Sequence, residues 1–155
     1  MPNPSLIIGV DPGASGGIAE LGSNGAHVMP MLDDLELRDY FDHVRKPGFE
    51  VAVVMELVGG YVGGGGQPGS AMFRFGEGYG YIQGLLSAYR IPLHLVRPQT
   101  WQQGIPGLKG NEKPQRKRAL KEHAARLFPS VSGITLKTCD ALLIAEWGRR
   151  NLFNK

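Results

Sequence analysis

Three carboxylates, Asp11, Glu56 and Asp140, stand where the chain would deliver them to one place. Leu6–Val10 and Val51–Met55 are short, continuous apolar runs, and each is closed by an acid, Asp11 and Glu56. Runs of that length bounded by turn residues suit strands buried on both faces. Open α/β sheets build their sites outside the carboxyl ends of such strands. Asp140 opens a helix in which Leu143, Ile144 and Trp147 follow at i+3, i+4 and i+7, so it shares their core-facing stripe. A carboxylate aimed at a core needs a partner, and a divalent cation shared by all three would serve. Oxygen donors without His or Cys favour Mg²⁺ or Mn²⁺ over zinc. Two such ions about 4 Å apart activate a water and stabilise the leaving oxygen in phosphodiester hydrolysis. Each acid also has a plainer reading. Asp11 before Pro12-Gly13 starts a turn, Glu56 ends an exposed strand, and Asp140 complements a helix dipole. Their joint placement favours the site.

The elements that must position these acids can be read from the hydrophobic pattern. After the first strand, Gly16–Leu21 and Ala26–Met29 form a hairpin around Ser23-Asn24-Gly25. Leu35–Arg45 is an amphipathic helix stopped by Pro47-Gly48. Ala71–Tyr89 reads as a helix despite its glycines, Leu93–Val96 as a strand, and Pro114–Phe128 and Thr138–Asn151 as the last two helices. A β-meander followed by alternating strands and helices predicts an α/β fold with a mixed central sheet flanked by helices. Without repeat or linker, residues 1–155 are expected to form one domain.

Composition narrows the function classes. Hydrophobic residues make up 42% and charged residues 20%, as in ordinary globular proteins. No apolar run approaches the roughly 20 residues of a membrane helix, and Met1–Ser5 has no targeting character, so no membrane partner and a cytoplasmic location are expected. The single cysteine, Cys139, cannot form an internal disulfide and reads as a packed, inert thiol. His27, His43, His94 and His123 lack metal-ligand spacing. The net charge of +3 is small, so the placement of charge must carry any nucleic-acid argument.

That placement is uneven. Lys109, Lys113, Arg116, Lys117, Arg118, Lys121 and Arg126 lie close together, opposed by Glu112 and Glu122 alone. Such a run is often a solvated helix face. Here Lys113 lies seven residues before Leu120, on the azimuth of the apolar stripe, and is expected to point back towards the acids. Pro114 at the helix start supports that boundary. The remaining cations would bind phosphates without reading sequence. The glycine-rich segment after Glu56 permits close backbone approach, and Tyr61 within it could stack on an exposed base. It has no Gly-Lys-Ser/Thr ending, which argues against a nucleotide-binding P-loop. Gly76, Gly80 and Gly84 put a smooth strip on one helix face, to be met either by the chain's own sheet or by the twin helix of a dimer.

Ile8-Gly9-Val10-Asp11-Pro12-Gly13 and Val54-Met55-Glu56 resemble, in that order, the opening strand and the second acidic strand of a known family, the RuvC-type Holliday junction resolvases. Phe75–Gly80 resembles the helix after the glutamate, Val96–Trp101 the segment before the basic region, and Cys139–Ala145 the closing Asp-Ala-Leu helix. The pieces span nearly the whole chain in order and look most like the compact phage and chloroplast branch. The resemblance implies an RNase H-like fold, a homodimer, two Mg²⁺ ions (Mn²⁺ substituting) and paired cuts across four-way junction DNA. It makes Asp11, Glu56 and Asp140 metal ligands, and it extends the setting to a bacterial or phage-infected cytoplasm or an organelle. The chain departs from the family at Lys137, where an Asp or His usually stands three positions before the final aspartate. Either a neighbour replaces that ligand, or Lys137 brings positive charge to the scissile phosphate. An actin-like ATPase needs two such domains, which 155 residues do not supply. The closer alternatives are an RNase H-fold nuclease for other branched DNA or RNA–DNA hybrids, and a catalytically silent junction-binding protein.

Overall fold

β-Branched and aliphatic runs supply the strands of a five-stranded mixed sheet in the computed structural model, which describes residues 3–59 and 69–153. The strands are β1 (Leu6–Asp11), β2 (Gly17–Gly22), β3 (Gly25–Pro30), β4 (Val51–Glu56) and β5 (Leu93–Val96), in the spatial order β3-β2-β1-β4-β5. β1 pairs antiparallel with β2, and β2 with β3, while β1–β4 and β4–β5 are parallel. Val10 stands opposite Met55 in the β1–β4 register, so Asp11 and Glu56 follow at the same sheet edge. The hairpin turn is tighter than its sequence suggested. Gly22 pairs with Gly25, whose positive φ of 108° closes a two-residue loop at Ser23-Asn24.

The central strands are apolar on both sides because both sides are covered. Ile8, Val10, Val53 and Met55 pack under α1 (Asp34–Val44) and α2 (Gly69–Ala88), through Leu37, Phe41, Ile82 and Leu86. Ile7, Ala52 and Val54 face the other layer, α4 (Lys113–Leu127) and α5 (Cys139–Gly148). Asp33 caps α1 in a reciprocal box with Glu36, each side chain accepting from the other's backbone N–H. A short helix absent from the sequence reading, α3 (Pro98–Trp101), is started by Pro98 at its first position. The last helix is also shorter than expected, because after Gly148 the chain continues as a π-helical turn, Arg149–Phe153.

α5 lies against β1 at unusually close range, and Gly9 is the reason. A β-carbon there would collide with the Ala141 carbonyl oxygen and come within 2.8 Å of the Ala145 β-carbon. Glycine on the strand and alanines at i and i+4 on the helix let the two backbones approach. This brings Asp140, in the first turn of α5, down to the sheet edge.

Candidate active site

The three acids come from three separate elements. Asp11 and Glu56 are the last residues of β1 and β4, and Asp140 sits in the first turn of α5. They stand near enough for their charges to act on one another. Burial, then the charge of Asp140, pushes the Asp11 carboxyl up to about 7, with Lys117 opposing and Glu56 reinforcing the shift. Burial likewise raises Glu56, against a hydrogen bond from Trp101 that favours its ionised form. Asp140 is 9% exposed and holds Lys117, with Nζ 2.7 Å from Oδ2. Its other oxygen, Oδ1, accepts from the Cys139 thiol at 3.4 Å. Burial first, then the neighbouring Asp140 charge, pushes the thiol itself up to about 12, in keeping with an inert cysteine.

The lysine at the acids corrects the sequence expectation. Lys113 is exposed at the first position of α4 and makes no ion pair with the acids, whereas Lys117 enters among them. The buried residues of α4 are Leu120 and Ala124. Lys117 precedes them by three and seven residues, one turn inside the helix, where the stripe is covered by α5. Lys113 shares that azimuth but lies beyond the covered part. The i−3 relation to Leu120 was the available signal. Lys137 is exposed too, and only its backbone is engaged, its N–H donating to Thr135 Oγ1. Lys109 and Lys121 are exposed, while Arg116 spends donors on the Leu108 carbonyl and the Gln102 side chain. Tyr61 lies outside the described residues.

Two aromatic side chains outside the acidic pattern also serve the site. The buried Trp101 of α3 donates its indole N–H to Glu56 Oε2 at 2.8 Å. The Tyr79 hydroxyl donates to the Glu56 carbonyl at 3.4 Å. Phe75 stacks on Tyr79 and lies over the turn after Asp11, where Gly13 has φ 104° and a β-carbon would meet the Phe75 ring at 2.9 Å. Trp101→Phe should keep the packing but remove the donor. Glu56 would then ionise at higher pH, and the acid limb of any activity dependent on it should move to higher pH. A pH–rate profile measures this, and an unmoved limb removes Trp101 from the site.

The donor set suits a hard divalent ion: carboxylates from adjacent strand ends and a facing helix, with neither His nor thiolate. As the side chains stand, no group of three metal-ligating residues is close enough to hold an ion among the described residues. Lys117 is the positive charge at the centre.

No protein-family model matches the chain, and no curated protein matches it in sequence. Solved structures do. Thermus thermophilus RuvC superposes with a TM-score of 0.54 at 16% identity, covering 94% of this chain and 95% of its own. T. thermophilus RuvC in complex with a Holliday junction substrate gives 0.55 at 16% identity, covering 94% of each chain. A five-stranded mixed sheet between helical layers, with acids at adjacent strand ends, is thus the RuvC-like, RNase H-like α/β fold over nearly the entire chain.

Proposed function

We propose that this chain is a metal-dependent endonuclease that resolves four-way DNA junctions by paired phosphodiester hydrolysis. The observation carrying this reading is the convergence of Asp11, Glu56 and Asp140 at one sheet edge of a RuvC-like fold. The structural neighbour bound to a Holliday junction supports the choice of substrate. In this reading the three acids hold two Mg²⁺ ions, or Mn²⁺ in their place, which when bound supply an activated water and charge for the leaving oxygen. Trp101 orients Glu56, and the tight α5–β1 contact keeps Asp140 at the sheet edge, where its charge acts on Asp11. Lys117 supplies the cation nearest the reacting phosphate. Lys109, Lys113, Arg116, Lys121 and Lys137 contact the backbone phosphates around it, and Tyr61 stacks on an exposed base. Incubation with four-way junction, duplex, flap and RNA–DNA hybrid, each with and without Mg²⁺, tests the proposal. Symmetric cutting of the junction alone, only with Mg²⁺, is expected. Cutting of flaps or hybrids in preference points to another RNase H-fold nuclease, and tight junction binding without cutting makes the chain a silent binder.

Paired cuts need two sites facing opposite strands, so the proposal includes a homodimer. The glycine strip of α2 supports it. The strip does not pack on the chain's own sheet, since among the described residues β-carbons at Gly76, Gly80 and Gly84 would meet nothing within 4 Å. The strip lies opposite the buried Ile82 and Leu86, and Phe73, 68% exposed, shares its face. Each helical glycine costs about 1 kcal/mol relative to alanine, a cost that close approach by a twin helix would offset. Gly80→Leu should therefore leave the fold intact but weaken dimerisation at least tenfold in sedimentation equilibrium. A wild-type monomer, both free and junction-bound, would remove the paired-cut mechanism.

A further inference from the structure

In the metal-free protein, one ammonium faces three carboxylates. Lys117 Nζ lies 2.7 Å from Asp140 Oδ2, and its charge also acts on Asp11 and Glu56. Both Asp140 oxygens are engaged, Oδ1 by the Cys139 thiol and Oδ2 by the lysine. A thiol is a weak donor, and the lysine is the stronger claim on the carboxylate. A single positive charge leaves the cluster under-neutralised, and a divalent ion would neutralise it better. The lysine also has somewhere to go. Its side chain is 29% exposed, and Lys113, Pro114 and Gln115 before it on α4 are all exposed. Its four-carbon stem can swing the ammonium outward without moving the helix, whose anchors are Leu120 and Ala124.

From this we propose that Lys117 is a displaceable internal counter-ion, holding Asp140 in the DNA-free protein and competing with the divalent cation for the same oxygen. Loading of the cation releases the ammonium towards the mouth of the site, where a DNA phosphate can take it. Metal and DNA then favour each other's binding, because each relieves a contact the other must break. The inference rests on reading the acid cluster as a metal site.

Its test is Mg²⁺ and Mn²⁺ binding by calorimetry to the full-length, DNA-free protein, comparing wild type, Lys117→Met and Lys113→Met. Removal of a competitor in contact with a ligand should tighten binding on the order of tenfold in Lys117→Met. Lys113→Met, which removes the same charge from the exposed end of α4, should stay within about twofold of wild type. In wild type, the ¹H–¹⁵N signal of the Lys117 ammonium should be perturbed on Mg²⁺ addition, a measurement that does not depend on any variant folding. Unchanged or weaker metal binding by Lys117→Met, or a Lys117 signal indifferent to Mg²⁺, overturns the competition while leaving the metal site standing. An equal gain in Lys113→Met also overturns it, since net charge rather than contact would then be responsible. Absence of metal binding by all three proteins overturns the metal reading itself, and this inference with it.

Discussion

Asp11→Asn should abolish cutting and at the same time make the metal-free protein more stable. The two effects share a cause. Burial and the neighbouring Asp140 raise the Asp11 carboxyl from 3.8 to about 7, so the folded protein retains a proton there that the unfolded chain has already released. Between those two values the folded state binds more protons at Asp11, and the contribution of this group to stability falls as pH rises. The contribution is largest below about pH 4, declines towards pH 7 and is flat above it. At pH 8 the ionised carboxylate in its buried, like-charged setting costs on the order of 3 kcal/mol, and an asparagine of the same shape avoids most of it. Thermal melts in the presence of a chelator should show the variant higher by roughly 6–12 °C at pH 8, with the difference shrinking towards pH 4. Cutting should fall at least ~10³-fold, because a neutral amide cannot replace an anionic metal ligand. A variant that melts lower than wild type at pH 8 would show that Asp11 serves the fold rather than the chemistry.

Gly9→Ala should act in the opposite way, damaging the fold and the site together. The added methyl would collide with the Ala141 carbonyl and lie 2.7 Å from the Ala145 backbone nitrogen, and neither is a flexible side chain that can move aside. Either α5 retreats from β1 or the strand bends. Overpacking of this kind costs about 3 kcal/mol or more, enough to remove much of a typical domain's stability. Because Asp140 rides on the first turn of α5, any protein that still folds should bind metal poorly. Gly22→Ala at the end of the neighbouring strand provides the contrast. Its methyl would rest at an ordinary 3.4 Å from the Ser5 carbonyl and should cost little. Denaturant titrations of the two variants give the comparison, and equal midpoints would mean that α5 is free to shift.

Much of this architecture was legible in the chain because its signals are local. Apolar runs of strand length, Pro and Gly at the boundaries, and the Asp33–Glu36 pairing each depend on residues a few positions apart. They located all five strands and the four long helices, and they put Asp11 and Glu56 at strand ends. The parallel pairing that sets those ends side by side matched the pattern for the same reason, since both runs are apolar on both faces. Side-chain partners were another matter. The choice of Lys117 over Lys113 depends on how far α4 is covered by α5, and that is fixed by packing between helices. Trp101 reaches Glu56 only because a short helix after β5 turns its indole back to the sheet edge. Periodicity fixes a residue's azimuth on its own element, but not which neighbouring element covers that azimuth or where the cover stops. For the same reason the glycines of α2 could be recognised as a strip from their spacing alone. Only the tertiary structure showed that the chain's own sheet lies on the other side of the helix.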